Sequence, residues 1–195
     1  MCNRYRCKAN TELLDKEFSL RANLFQDLPL ELFPMRNAAV VRPQQDGPGR
    51  EGVVMRWGLV PSWAEDPKVG RRMTNAKCET VATKPSFRTA YKKRRCLIPA
   101  TSFCEFRKGW YEFSFSDGRV FAFAGLWESW HKGAEPLETF TMLTGEPNAF
   151  VAEYHDRMPV IVHPNDYDLW LPGKPEEVGV LLQPFPGDGM VVSPV

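Results

Sequence analysis

Between residues 110 and 127 the chain reads WYEFSFS, then Asp117-Gly118, then RVFAFAGLW. Both runs are rich in aromatic and other apolar residues and read as strands. Asp-Gly marks a tight turn, because glycine accepts the positive φ that such a turn demands. The segment predicts two antiparallel strands joined in a hairpin, and it commits the chain to a β-rich core. Other stretches read the same way. VRPQQDGPGREG at 41–52 predicts a loop or hairpin tip, and VVMRWGLV at 53–60 a buried strand ending at Pro61. RRCLIPATSFCEF at 94–106 gives two short extended pieces, and TFTMLT at 139–144 and RMPVIV at 157–162 give further strands.

The helical segments are short. TELLDKEFSL at 11–20 has Leu13, Leu14 and Phe18 on one side, with Thr11 as its cap. PSFRTAYKKRR at 85–95 starts at a proline and ends in basic residues, the polarity a helix prefers. NAFVAEYH at 148–155, HPNDYDLWL at 163–171 and EEVGVLLQPF at 176–185 complete the set. There is no regular βαβ alternation, no internal repeat and no linker of shifted composition. The prediction is an α+β fold: one domain over 1–195, a curved, mostly antiparallel, barrel-like sheet with short peripheral helices.

A net charge of +1 gives no global basic field, so any nucleic-acid contact has to come from a local patch. No apolar run approaches the ~20 residues of a membrane helix, and the first twenty residues carry charges throughout, unlike a signal peptide. The expectation is a cytoplasmic protein without a membrane. Five cysteines (Cys2, Cys7, Cys78, Cys96 and Cys104), with no CxxC pair, argue against a disulfide framework and against zinc. No metal or other cofactor is expected.

Four polar positions stand out. Cys2 follows the initiator methionine; if Met1 is removed, it carries a thiol and a free α-amine on adjacent carbons. Asn75 lies in TNAKCET, Glu105 in SFCEF, and His155 in YHDRMPVIV. Each has a bland reading. A second-position cysteine is usually an accident, Asn75 caps a turn, Glu105 pairs with an arginine, and His155 is one of three histidines. KKRR at 92–95 is most often a solvated face.

The combination outweighs the single readings. MC at the start, RWGLVPSW at 56–63, TNAKCET at 74–80, KPSFRTAY at 84–91, RRCLIPATSFCEF at 94–106 and HDRMPVIV at 155–162 occur in this order. Together they resemble the SRAP family, the SOS-response-associated peptidase-like proteins, over nearly the whole chain. The resemblance implies shielding of abasic sites in single-stranded DNA by a covalent link to the N-terminal cysteine. It also implies a peptidase label, since Met1 must leave first. The family's roles fall on Cys2, Asn75, Glu105 and His155. Asn3 departs from a common glycine, and Cys104 and Phe106 replace the frequent Tyr and Trp around the glutamate.

The chemistry explains the residue types. A free α-amine, pKa ~7.7–8.0, is partly neutral at neutral pH and attacks the ring-opened aldehyde of an abasic site. The adjacent thiol then closes a five-membered thiazolidine, an intramolecular step favoured by high effective molarity. On this reading Glu105, if set among Phe103 and Phe106, has a raised pKa and shuttles the proton that water loss requires. His155 exchanges protons near neutrality, and Asn75 holds the amine or ring without adding charge.

Arg4, Lys77, Arg88 and Arg157 neighbour these motifs and are the expected phosphate contacts. Trp63 either stacks on a base or packs in the core. Arg71, Arg72 and the 92–95 run extend the basic groove. The expected partner is single-stranded DNA with an abasic site, bound by a monomer that associates with the nucleoid on damaged DNA. Two competing readings remain: a thiol autoprotease or peptidase with Cys2 as nucleophile and His155 as base, and a nucleic-acid-binding module without chemistry.

Overall fold

The computed structural model describes residues 2–25 and 28–195. Met1, whose removal the sequence reading requires, lies outside them. Among the described residues the strands are β1 (Tyr5–Arg6), β2 (Leu20–Asn23), β3 (Glu31–Leu32), β4 (Asn37–Pro43), β5 (Arg50–Trp57), β6 (Asn75–Lys77), β7 (Arg95–Ala100), β8 (Ser102–Phe106), β9 (Trp110–Phe115), β10 (Phe121–Trp130), β11 (Leu137–Gly145), β12 (Met158–Pro159), β13 (Ile161–Val162) and β14 (Met190–Pro194). The helices are α1 (Thr11–Phe18), α2 (Cys78–Val81), α3 (Arg88–Lys93), α4 (Ala149–Ala152), α5 (Tyr167–Trp170) and α6 (Pro175–Val178).

Five strands close a ring. β4 pairs with β5, β7 with β4, β10 with β7 and β11 with β10, all antiparallel. A parallel pairing of β11 with β5, through Thr139–Arg56 and Phe140–Trp57, completes a mixed barrel. Side-chain alternation along the ring strands fills both of its surfaces. Phe121 and Phe123 of β10 join Val40, Met55, Ile98 and Met142 in one apolar cluster. Ala122, Ala124 and Leu126 of the same strand join Phe87, Tyr91 and Trp170 from the helical layer in another. All five ring strands contribute to the first cluster, so it is the filled lumen. Fully burying an aromatic or aliphatic side chain stabilises by ~1.5–3 kcal/mol, so this two-sided burial is the fold's main support.

A second, antiparallel sheet, in the order β14-β9-β8-β1-β3, covers the barrel. Tyr5, Phe103, Phe113 and Phe115 extend the lumen cluster into it. Tyr5 meets Trp57 at 5.2 Å and Phe123 at 5.7 Å, edge to face.

The expected 110–127 hairpin does not form. The Asp117-Gly118 turn is present, with Gly118 at φ +68° and its N–H donating to the Phe115 carbonyl at 3.0 Å. Its flanking strands, however, enter different sheets: β9 pairs with β8 and β14, and β10 with β7, β11 and β13. β10 is apolar on both faces and belongs in a wall covered on both sides. β9 carries Glu112 among its aromatics and suits the covering sheet. The turn is a corner between sheets, pinned by Phe115 against Phe121 at 5.3 Å.

Two smaller expectations also shift. Asn10, not Thr11, caps α1, its Oδ1 accepting from the Leu13 N–H at 2.8 Å. The 41–52 segment is a hairpin whose flanks are already strand, with Gln44 N–H donating to the Gly49 carbonyl at 2.9 Å.

After β5 the backbone crosses itself. Gly58 has φ +129°, and a Cβ there would lie 2.7 Å from the Gly70 carbonyl oxygen. Only glycine tolerates both conditions. The crossing returns the chain as β6, which lies parallel to β11 with Asn75 opposite Met142. The Trp57 indole locks it by donating to the Thr74 carbonyl at 2.8 Å.

Candidate active site

The four polar positions converge from four parts of the chain. β1 carries the N-terminal segment along β8, where Cys104 N–H donates to the Arg4 carbonyl at 2.9 Å. Cys2 is thereby buried in the lumen cluster, its Sγ donating to the Arg4 carbonyl at 3.5 Å. Burial first, and then the Glu105 carboxylate, push the thiol well above its ordinary value. Cys2 is not a standing thiolate.

Asn75, at the start of β6, donates from Nδ2 to the Cys2 carbonyl at 2.8 Å. The same nitrogen lies 3.4 Å from Asn3 Oδ1, so the departure from glycine brings a polar group into the site. Asn75 Oδ1 is buried and has no hydrogen-bond partner among the described residues.

Glu105 is 3% exposed, and burial raises its carboxyl to about 7. The raised value was expected from the sequence, but one of its expected causes was not right. Phe103 is buried two residues before Glu105, on the same side of the strand, whereas Phe106 is 58% exposed. His155 follows α4, and its Nε2 lies 3.6 Å from Glu105 Oε2. Burial lowers the imidazole's affinity for a proton. Its Nδ1 accepts from the Arg157 N–H at 3.0 Å, which leaves the neutral ring's proton on Nε2, facing Glu105. In the imidazolium form Nδ1–H has Asp156 Oδ1 and the Arg157 carbonyl at 3.1 Å. Near neutrality the Glu105–His155 pair therefore holds one carboxyl poised to gain or lose a proton beside a neutral imidazole.

The expected phosphate contacts divide. Arg4 is close by, but its guanidinium pairs with Glu31 at 2.7 Å and lies over the rings of Trp110 and Phe33. Lys77 is exposed two residues beyond Asn75. Arg157 is held by Glu79, with one N–H···O contact at 3.1 Å, and by the Thr144 carbonyl at 2.5 Å. Arg88 is exposed at the start of α3, a helix packed on β7 and β10. Trp63 is 57% exposed, so the core-packing alternative for it falls. The 92–95 run is not one basic face. Arg95 is 2% exposed and donates to the carbonyls of Trp170 and Tyr91 at 2.6 and 2.5 Å, and Arg94 pairs with Glu128 at 2.6 Å.

Glu79 and Thr144 were not foreseen. Glu79 lies inside TNAKCET, four residues after Asn75, but its partner is 78 positions away in sequence. Among the described residues no group of three or more His, Cys, Asp or Glu side chains is arranged to hold a metal ion. No helix there is long and apolar enough to cross a membrane.

Comparison with known proteins bears on this arrangement. The family described as SOS response associated peptidase (SRAP) matches residues 1–195. The abasic site processing protein YoqW of Bacillus subtilis is 37% identical over 97% of this chain and 90% of its own length. The abasic site processing protein HMCES of Gallus gallus is 31% identical over 66% of this chain and 48% of its own length. A crystal structure of a Bordetella bronchiseptica protein superimposes over the whole chain with a TM-score of 0.89 at 27% identity. One from Bacteroides thetaiotaomicron gives 0.90 at 22% and shares the fold.

Proposed function

The chain belongs to the SOS response associated peptidase family, and from that premise we propose that it processes abasic sites in single-stranded DNA by linking them covalently to Cys2. The reading starts with removal of Met1. The freed α-amine adds to the aldehyde carbon of the ring-opened sugar, giving a carbinolamine. Loss of one water leaves an imine. The thiol then adds to the imine carbon, its proton passes to the nitrogen, and a thiazolidine closes. Water loss needs an acid, and a carboxyl at about 7 supplies one at neutral pH. The elevated thiol suits a nucleophile that keeps its proton until the imine nitrogen takes it. Asn75 Oδ1, buried and unpartnered, suits an acceptor for the α-amine N–H.

The observation that carries this reading is the buried carboxyl of Glu105, beside His155 and acting electrostatically on Cys2, whose carbonyl Asn75 holds. A cysteine-peptidase reading draws less support. It requires Cys2 and His155 to form an ion pair, but the Cys2 Sγ donates to a carbonyl and His155 faces Glu105. The test is incubation with a single-stranded oligonucleotide carrying one abasic site. A heat-stable band is expected, together with a mass equal to protein without Met1 plus oligonucleotide minus one water. A band formed equally by protein that retains Met1 would sink the mechanism.

A further inference from the structure

Arg157 is held through both its side chain and its backbone. Its guanidinium is 14% exposed, with both terminal nitrogens on Glu79 and one also on the Thr144 carbonyl. Its Nε is buried. Its main-chain N–H donates to His155 Nδ1. Side chain and backbone of one residue thus tie Glu79 on α2, Thr144 on β11 and the catalytic-site imidazole together. Surface ion pairs are usually worth little, but this one has a bidentate geometry, a sheltered cation and a third acceptor.

We propose that Glu79 is a positioning residue: through Arg157 it fixes the 155–157 turn, and with it the His155 imidazole against Glu105. The inference rests on the function read above. The chain of contacts gives the reason. Without the carboxylate, the guanidinium keeps only the Thr144 carbonyl among these acceptors and swings toward solvent. The 155–157 backbone then loses its outer anchor, and the Nδ1 acceptor bond loosens with it. Among the described residues, Glu105 on β8 and Asp156 face the imidazole, and Arg157, whose N–H meets its Nδ1, carries Glu79 of α2.

Two measurements test this, one of them independent of DNA. The chain has three histidines, so the His155 ring resonances can be assigned by difference from His155→Gln and titrated by NMR. Glu79→Ala is expected to move the His155 titration toward the ordinary value and to broaden its resonances, leaving His131 and His163 unchanged. The second is the crosslinking rate at saturating abasic single-stranded oligonucleotide, with affinity measured separately. Glu79→Ala is expected to lower the maximal rate about tenfold without weakening binding, since an acidic group has been removed from the expected DNA face. Glu79→Gln, which keeps one acceptor for Arg157, is expected to fall between, and it serves if the alanine variant does not fold. An unchanged His155 titration in both variants would overturn the inference even while wild-type protein crosslinks normally. So would a loss of affinity with an unchanged maximal rate, which would assign Glu79 to DNA contact. A wild-type protein that does not crosslink at all, with the titration shifted as expected, would remove the function and leave only the anchoring.

Discussion

Asn75 Nδ2 donates to the main-chain carbonyl of Cys2 at 2.8 Å, joining residues 73 positions apart. The bond holds Cys2 by its backbone carbonyl, which on the proposed chemistry leaves the thiol, and the α-amine freed by Met1 removal, to react. Asn75→Asp keeps the shape and replaces the donor by an acceptor facing a carbonyl. Losing a buried hydrogen bond costs ~1–3 kcal/mol, so the crosslinking rate should fall by roughly 10- to 100-fold. Affinity for a non-reactive abasic analogue should change far less. A wild-type rate in this variant would remove Asn75 from the site.

On the proposed chemistry Cys2 supplies both new bonds, so its loss should be total. Cys2→Ala should give no heat-stable product, and Cys2→Ser a weak, heat-labile one, because a hydroxyl traps an imine poorly. The other thiols lack an adjacent α-amine: Cys96 packs in the lumen, and burial lifts Cys78 to about 12 and Cys104 to about 11. Alanine at Cys78 or Cys104 should leave the rate within a few-fold of wild type. Gel assays of the four variants in parallel check this, and loss of product in a folded Cys104→Ala would give that thiol a chemical role.

The limits of the sequence are visible in particular residues. The candidate site was legible because its four side chains lie in short blocks of distinctive order, and the structure brings all four together. The barrel was legible in outline, since strands apolar on both faces need cover on both sides. The destination of a turn was not. Asp117-Gly118 reports local backbone geometry, whereas the partners of Phe115 and Phe121 are Met190 and Ala100. β1 is two residues long and β14 lies in a proline- and glycine-rich tail, so neither has enough length to show a period. Arg95 read as part of a basic face because its carbonyl partners at Tyr91 and Trp170 leave no mark in composition.

That buried arginine carries its own expectation. Arg95 ties α3 and the end of α5 to the barrel wall through main-chain carbonyls and lies 5.7 Å from the Trp170 ring. Arg95→Ala strips those carbonyls of their donor and leaves a void, a combined cost on the order of 3 kcal/mol. The midpoint of urea unfolding should drop accordingly, with the slope unchanged. Arg94→Lys, one residue away, keeps a cation for the nearly buried Glu128 and should cost far less. Equal effects at the two positions would contradict the distinction.

Glu105 links stability to pH. Its folded value lies near 7 against an ordinary 4.5, because burial disfavours the carboxylate. A group whose folded value is raised contributes stability that is complete below the unfolded value and is lost as pH rises through the folded one. Wild-type protein should therefore lose stability between about pH 4.5 and 7.5, by at most on the order of 3 kcal/mol from this group. Glu105→Gln cannot ionise and should lack that loss. The difference in Tm between variant and wild type should be small at pH 4.5 and should favour the variant above pH 7. A constant difference across pH 4–8 would place the carboxyl's folded value at its ordinary level.

Arg4 tests how DNA is held. Its guanidinium shares Glu31 with that of Arg6, the two holding the carboxyl below its ordinary value, and it lies over Trp110 and Phe33. A phosphate binding here competes with that carboxylate or adds to a neutralised pair. Either way, Glu31→Gln should tighten binding to single-stranded DNA by freeing positive potential. Arg4→Gln should weaken it and flatten its salt dependence, since each phosphate contact contributes about 0.7 to the log–log slope on single strands. The two changes should also couple: in the double variant, Glu31→Gln should help less, because of the two arginines it restrains only Arg6 remains. Affinities for an undamaged oligonucleotide at several salt concentrations give both the slope and the coupling. If Glu31→Gln tightens binding as much without Arg4 as with it, the effect is general electrostatics, and Arg4 makes no specific phosphate contact.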